Sequence, residues 1–384
     1  MRNVLFSSSS MRYNGGAIMC LLEIIKYSNE NIHPIVVLSG HGTTEDELKR
    51  RNIEYYVVRS YDWLVQREKK KSVTGKAKWL IQKLVNIKAE IQLFHILRKH
   101  KIDVLHINSV YNPAGVAAAR RMHIPVVWHI REFSEGAPET PSYWNARKSY
   151  RVMSQSDCMI GVSKCICEWY QQKMPDAKIQ LVYDGVDTEQ IHPVLHPLFE
   201  KKPYRLLLSG GITPVKGYTD AIKALGILKV KRPELSLELH IAGRKMNLAY
   251  YESLVKLAAE EGVTERVVFH DFVHDMNSLL EETDILLVCS RSESFGRACV
   301  EGMLKGCVVI GANNTGTSEI LQQNKYGYLY TTGDAEDLAN RIIQITDKPD
   351  SHVALTKSSM KYAEAEYSAK RNAELVSNIL LNIR

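Results

Sequence analysis

Apolar positions along the chain fall into two kinds of run. Short runs rich in Val, Ile and Leu occur in the first half at Asn3–Ser7, Ile35–Leu38, Tyr55–Val58, Val104–Ile107, Val126–Ile130, Met159–Val162 and Ile179–Tyr183. They continue at Leu206–Ser209, Leu237–Ala242, Val267–His270, Ile285–Cys289, Val308–Ile310 and Tyr328–Tyr330. Several are apolar on consecutive positions, the pattern of parallel strands covered on both faces. Helical spacing fills intervals such as 216–230, 248–261, 296–305 and 335–346. Strands alternating with helices predict right-handed βαβ units and two doubly wound α/β domains. The expected join is 193–203, where Pro193, Pro197 and Pro203 interrupt the pattern, because proline cannot serve a strand ladder and stiffens a connector. The expected domains are 1–192, completed by a C-terminal helix over 366–384, and 204–365.

One further helical pattern has a different character. Leu80, Leu84, Ile87, Ile91 and Phe94 recur at spacings of 4, 3, 4 and 3, with Trp79 beside them. They define one helix face. Charge changes its meaning. The 384 residues carry a net charge of +7, yet residues 67–101 hold eleven Lys/Arg against Glu68 and Glu90, a net of +9, which leaves −2 for the rest. Lys69, Lys70 and Lys71 are part of this segment. The plain reading is a core-facing helix with a solvated basic back. A nucleic-acid surface lacks an accompanying motif. The functional reading is a peripheral surface on anionic lipid.

Composition is otherwise that of an ordinary globular protein, 45% hydrophobic and 24% charged. No apolar run reaches the roughly 18 residues a membrane span needs, and MRNVLFSSSS is too short and polar for a signal peptide. Seven cysteines without metal-ligand spacing suggest reduced thiols in the cytoplasm.

The chemistry-bearing segments all follow strands. Ser292-Glu-Ser-Phe-Gly-Arg-Ala-Cys-Val-Glu301 opens a helix at Gly296, where exposed backbone N–H groups favour an anion. Glu293 and Glu301 flank that end, and carboxylates accept hydrogen bonds from sugar hydroxyls. A surface helix with two solvated glutamates would have the same spacing. Ser209-Gly-Gly-Ile-Thr-Pro-Val-Lys-Gly217 lets backbone approach a ligand, with Lys216 as a point charge for phosphate. Ser10-Met-Arg-Tyr-Asn-Gly-Gly16 is a similar turn after the first strand, and either loop could be purely structural. His129 stands at a strand's carboxyl end, where sheet ligands bind. Asn314-Thr-Gly-Thr-Ser-Glu319 ends in an acid expected at a helix start. No Asp-x-Asp pair occurs, which argues against a metal-held diphosphate. No GxGxxG follows a strand, which argues against a nicotinamide oxidoreductase.

Together these residues resemble the retaining glycosyltransferases of family 4 (glycosyl transferases group 1), which have the GT-B fold. Glu293-x7-Glu301 is similar to the family's paired-glutamate signature, Gly210 to Gly217 to its "GR…KG" loop, and Tyr183-Asp-Gly-Val-Asp187 to its "NGVD" turn. The resemblance implies two Rossmann-like domains facing a central cleft. It implies a nucleotide-diphospho-sugar donor, no metal, no other cofactor, and a glycan or lipid-linked acceptor, with surface polysaccharide synthesis as the setting and no nucleic-acid partner. Glu301 would bind ribose, and Glu293 would contact the transferred sugar. Lys216 and the amides of Phe295 and Gly296 would hold the diphosphate, with Ser294, Gly210, Gly211 and Arg244 in the same donor set. Gly16 would approach the diphosphate from the other domain, and His129 would lie near the sugar's C6 side. The implied catalytic residues are Glu293, His129 and Lys216. Two positions depart from the family: Gly211 replaces its Arg, and Asp184 replaces its Asn. The first leaves open a non-catalytic partner subunit; a nucleotide-sugar 2-epimerase shares the fold.

Overall fold

A computed structural model describes residues 1–13, 15–65, 73–134, 142–273 and 275–384. Asn14 and the basic cluster Arg67, Lys69, Lys70 and Lys71 lie outside the described residues. The chain forms two compact units, Met1–Gly185 with Ala369–Arg384, and Val186–Ser368.

In the first unit the strands are β1 (Arg2–Ser8), β2 (Ile32–Leu38), β3 (Glu54–Val57), β4 (Leu64–Val65), β5 (Val104–Asn108), β6 (Val126–Ile130), β7 (Ser142–Tyr143), β8 (Cys158–Gly161) and β9 (Ile179–Leu181). Seven of them form a parallel sheet in the order β3-β2-β1-β5-β6-β8-β9. The short antiparallel pair β4–β7 stands apart. Two-residue strands leave no periodicity, so the sequence does not predict them. The helices are α1 (Gly16–Tyr27), α2 (Thr43–Arg50), α3 (Val73–Lys99), α4 (Val116–Arg121), α5 (Ala146–Met153) and α6 (Lys164–Lys173).

The second unit holds β10 (Tyr204–Ser209), α7 (Tyr218–Lys231), β11 (Leu237–Ala242), α8 (Leu248–Glu260), β12 (Val267–His270), α9 (Met276–Glu281), β13 (Ile285–Val288), α10 (Arg297–Leu304), β14 (Val308–Ala312), α11 (Thr315–Ile320), β15 (Tyr328–Tyr330), α12 (Ala335–Thr346) and α13 (Val353–Glu366). Its sheet is parallel in the order β12-β11-β10-β13-β14-β15. Both sheets reverse their strand order once, between β1 and β5 and between β10 and β13. Loops diverge at such a switch point and leave room for a ligand beyond the carboxyl ends. Consecutive apolar strand residues, such as Ile285–Val288, are buried because helices cover both faces.

The chain passes between units at Gly185/Val186 and at Ser368/Ala369. The proline segment 193–203, expected as the join, packs inside the second unit instead. His196 bonds to the carbonyls of Lys305 and Thr283, and Phe199 donates its N–H to Asp284. The last helix, α14 (Ala369–Asn382), returns to the first unit. Arg2 donates to the carbonyls of Leu380 and Ile383 at 2.8 and 2.7 Å, and Val376 and Leu380 enter the core beside Ile18, Leu22 and Ile160.

The apolar stripe on α3 faces the opposite way from the plain expectation. The core side of this helix is Ala89, Leu93 and Leu97, all buried. Leu80, Ile81, Leu84, Ile87 and Ile91 are 55–63% exposed. At 100° per residue their mean direction lies roughly opposite Leu93. Lys76, Lys78, Lys83 and Lys88 are exposed on the same helix. Lys83 lies 4.0 Å from the ring centroid of Trp79, which stacks on Trp144. The periodicity was a true helix signal, but the core was reached through smaller and fewer residues.

Because α14 completes the first core, Leu380→Ala should destabilise that unit by about 3 kcal/mol, the usual range for a buried leucine. All five tryptophans belong to this unit. Urea unfolding followed by tryptophan fluorescence measures it; an unchanged midpoint would show that α14 contributes little.

Candidate active site

In the second unit the loops after β10 and β13, adjacent strands at the switch point, come together. Gly210 has φ +135° and Gly217 has φ +69°, values open to glycine. A Cβ on Gly217 would sit 2.0 Å from the Cys289 carbonyl oxygen, so glycine lets this loop lie directly on the end of β13. Tyr218 donates its hydroxyl to the Gly210 carbonyl at 2.7 Å, and Arg291 donates its N–H to the Val215 carbonyl at 2.7 Å. Lys216, on a single 3-10 turn over Pro214–Lys216, reaches Glu293 Oε2 at 2.8 Å.

Gly296 caps α10 with φ +109°. Its position turns the first amides of that helix outward, a ready site for an anion. The loop ahead of it is braced from α11. Glu293 N–H donates to Thr315 Oγ1 at 2.9 Å, and Gly316 N–H donates to the Glu293 carbonyl at 2.9 Å. Glu319, expected at a helix start, lies instead near the end of α11, which begins at Thr315. On α10, Arg297 Nε donates to Glu301 Oε1 at 3.0 Å across one helical turn.

The two glutamates are thus each paired with a cation, but their electrostatics differ. Burial pushes the Glu293 carboxyl up, and Lys216 together with a Ser290 hydrogen bond more than offsets it, so the group is held below the ordinary carboxylate range. At Glu301 burial outweighs Arg297 and the carboxyl is raised. Arg244 follows β11 and lies over the Phe272 ring, 4.5 Å from its centroid. Gly211 lies outside the left-handed region; a Cβ there would meet only the exposed Met246 side chain, at 3.1 Å from Cγ. A side chain at this position is sterically accessible.

A further ion pair has no signature in the sequence. Asp220, buried on α7, accepts two hydrogen bonds of 2.6 Å from Arg291 and a third of 2.9 Å from Tyr330. It fixes the chain just ahead of Glu293. Its partners stand 71 and 110 positions away, a separation no local pattern reveals.

Gly16 and His129 belong to the first unit. Gly16 begins α1, and among the described residues, chain neighbours aside, nothing lies within 4 Å of a Cβ built on Gly15 or Gly16. His129, expected to be presented from a strand end, is fully buried. Its Nδ1 faces His106 Nε2 at 3.2 Å and Arg131 Nη2 at 3.4 Å, while its Nε2 has no hydrogen-bond partner among the described residues. A cavity of about 590 Å³ opens beyond β1, β2 and β3, lined in part by Ser9, Ser39, His41, Arg59 and Asp62; none of these was singled out from the sequence. None of the seven cysteines forms a disulfide.

Comparison with known proteins gives this geometry its context. Residues 14–190 match the family described as Glycosyltransferase Family 4, and residues 196–362 match the family described as Glycosyl transferases group 1. N-acetyl-alpha-D-glucosaminyl L-malate synthase of Bacillus anthracis is 26% identical over 301 residues, 74% of this chain and 75% of that one. The Escherichia coli UDP-Gal:alpha-D-GlcNAc-diphosphoundecaprenol alpha-1,3-galactosyltransferase is 23% identical over 287 residues, 70% of this chain and 72% of that one. Among solved structures, Anabaena HepE in complex with UDP-glucose superposes with a TM-score of 0.78 at 20% identity, covering 99% and 100% of the two chains. The fold is GT-B, and the class of protein is a glycosyltransferase. Within that class the chain belongs to family 4, the group 1 glycosyl transferases.

The glycine at 316 tests how firmly the loop is held. A Cβ there would lie 2.4 Å from the Phe295 carbonyl oxygen and 2.9 Å from that of Glu293. Gly316→Ala should therefore displace residues 293–296, cost about 1–3 kcal/mol and weaken UDP binding. Gly15→Ala, which meets nothing, should leave the melting temperature unchanged. Thermal unfolding and calorimetric titration with UDP read both; tight UDP binding by Gly316→Ala would show that this loop is not the anion site.

Proposed function

We propose that the enzyme transfers a hexosyl group from a nucleoside-diphosphate sugar to a hydroxyl of a glycan or lipid-linked acceptor, with retention of configuration and without a metal ion. The observation that carries this reading is the pair of carboxylates beside one helix N-terminus, each tied to its own cation. The Lys216 ammonium and the amides of Phe295 and Gly296 would receive the diphosphate. Glu301 would accept the ribose hydroxyls, and Glu293, kept ionised by Lys216, would accept hydroxyls of the transferred sugar. The resemblance to the family assigns His129 a contact with the transferred sugar and Gly16 a place near the diphosphate.

Bond breaking places negative charge on the departing diphosphate oxygen. Lys216 and the helix end stabilise that charge as it forms, the form of electrostatic help worth most in a transition state. The resemblance to retaining family 4 enzymes favours attack by the acceptor oxygen from the face the diphosphate leaves. Its proton passes to the leaving phosphate oxygen, and the anomeric configuration is retained. The lack of an Asp-x-Asp pair supports a diphosphate neutralised by Lys216 and amide dipoles rather than by Mg²⁺. The cavity beyond β1 to β3 is the natural place in the first unit for the acceptor, since ligands of parallel sheets bind there.

Steady-state kinetics test the assignment. Glu301→Ala should raise the donor KM more than it lowers kcat, because ribose contacts are shared by ground and transition states. Glu293→Ala should lower kcat strongly, and EDTA should leave wild-type turnover intact. Normal constants in both variants, or Mg²⁺-reversible loss in chelator, would refute the site.

The acceptor side of the proposal rests on α3. Among the described residues no helix is long and apolar enough to cross a membrane. An exposed aliphatic stripe bordered by lysines suits a helix lying in the plane of an anionic lipid surface. We propose peripheral membrane association through this face, which would bring a lipid-linked acceptor to the enzyme. The chain should sediment with vesicles containing phosphatidylglycerol, and less so as salt rises. Leu84→Ser/Ile87→Ser and Lys83→Glu/Lys88→Glu should each reduce binding. Equal sedimentation of these variants and wild type would favour a soluble acceptor.

A further inference from the structure

We infer that Arg131, held by Asp184 and Asn108, is a positioning residue that locks His129 into the Nε2–H tautomer and so fixes it as a hydrogen-bond donor toward a sugar oxygen. The inference rests on the reading of His129 as a contact of the transferred sugar.

The argument begins with what a guanidinium can do. It has only donors. Arg131 Nη2 lies 3.4 Å from His129 Nδ1, so that nitrogen must offer a lone pair. His106 Nε2 lies 3.2 Å from the same Nδ1. Two lone pairs facing each other would repel, so His106 also donates, and both imidazoles carry their proton on Nε2. Burial first, then Arg131 and His106, push His129 far below its ordinary range for protonation. The ring is therefore neutral, with one N–H.

Among the described residues that N–H has no hydrogen-bond acceptor, and His129 is fully buried. The nearest carboxylate oxygen, Asp184 Oδ1, is 3.9 Å away, beyond hydrogen-bond reach. Buried donors are rarely left so, and a hydroxyl or ring oxygen of a sugar is the matching acceptor.

Arg131 itself is immobilised on three sides. Its Nε donates to Asn108 Oδ1 at 2.7 Å, and its Nη1 pairs with Asp184. Asn108 in turn donates to the Ala17 carbonyl at 3.0 Å, at the start of α1. The ends of β5 and β6 and the turn after β9 thus converge on one guanidinium, with the first turn of α1 joined to it through Asn108. Glu132, Asp184, His106 and Cys20 are the other titratable groups facing it.

Removing Arg131 alone would strand a buried Asp184. The test therefore uses Arg131→Met/Asp184→Asn, with Arg131→Lys as the conservative variant, since an ammonium also only donates. Long-range 1H–15N spectra of the full chain labelled at histidine, assigned by the loss of signals in His129→Gln, report the tautomer directly. The wild type should show neutral His129 with its proton on Nε2, and the double variant a mixture of tautomers. A wild-type Nδ1–H tautomer, or a mixture, would overturn the inference.

Kinetics then separate it from the reading beneath, using whichever of UDP-glucose, UDP-galactose and UDP-N-acetylglucosamine the wild type turns over. The double variant should lose about tenfold in kcat, the equivalent of one hydrogen bond. Its inhibition by UDP, which carries no sugar, should not change, and Arg131→Lys should recover part of the loss. Full kcat in the double variant alongside an impaired His129→Ala would overturn the positioning role only. A fully active His129→Ala would overturn the sugar contact itself.

Discussion

The candidate donor site depends on one ion pair, Lys216 with Glu293. It joins two loops that are 77 residues apart in sequence and neighbours in space only because β10 and β13 are adjacent at the point where strand order reverses. Each partner serves the other. Glu293 compensates the Lys216 ammonium within the fold, and Lys216 keeps Glu293 charged against the cost of burial. Either charge alone in this half-buried loop would be a liability. As a pair they are stable in the free enzyme, and a diphosphate and a sugar can divide them, phosphate taking the cation and hydroxyls the carboxylate.

The second pair, Arg297 with Glu301, has the same form and the opposite balance. It lies on one helix, so its geometry is set by helical spacing rather than by topology. Its carboxyl remains raised despite the arginine. A carboxyl whose charged form is disfavoured by burial is a weaker anchor for charge but still accepts hydrogen bonds from hydroxyls, which suits ribose better than an ion. The two glutamates, eight residues apart in what looks like one motif, therefore occupy different electrostatic environments. That difference supports giving them different roles.

Strand positions and glycine loops were legible in the sequence because they follow from local rules. Every strand expected from apolar runs is present, and the glycines at 210, 217 and 296 take positive φ where a turn was read. What was not legible depends on long separations or on direction. Arg131–Asp184 and Arg291–Asp220 span 53 and 71 residues. The stripe on α3 was read as a face, correctly, but periodicity does not say which way a face points. Ala89, Leu93 and Leu97 fill the core side with three residues, too few to outweigh Leu80, Leu84, Ile87, Ile91 and Phe94 in the pattern. The burial of His129 was also invisible, since a strand-end histidine looks the same whether it points at a ligand or into a sheet of polar neighbours.

The two departures from the family pattern are not equivalent, and the difference lies in what surrounds them. Asp184, where the family has Asn, brings a negative charge into a buried turn, and that charge meets Arg131. The change is thus answered within the fold, and the answer adds a cation beside His129. Gly211, where the family has Arg, removes a cation and is answered by nothing comparable: Arg244 lies on Phe272 and Arg297 is engaged with Glu301. A buried charge without a counterion cannot be tolerated, so the first departure had to be compensated for the chain to fold. A missing surface cation costs the fold nothing and is felt only when an anion binds. Substitutions of the first kind are therefore recorded in the structure, and those of the second kind only in the ligand's affinity.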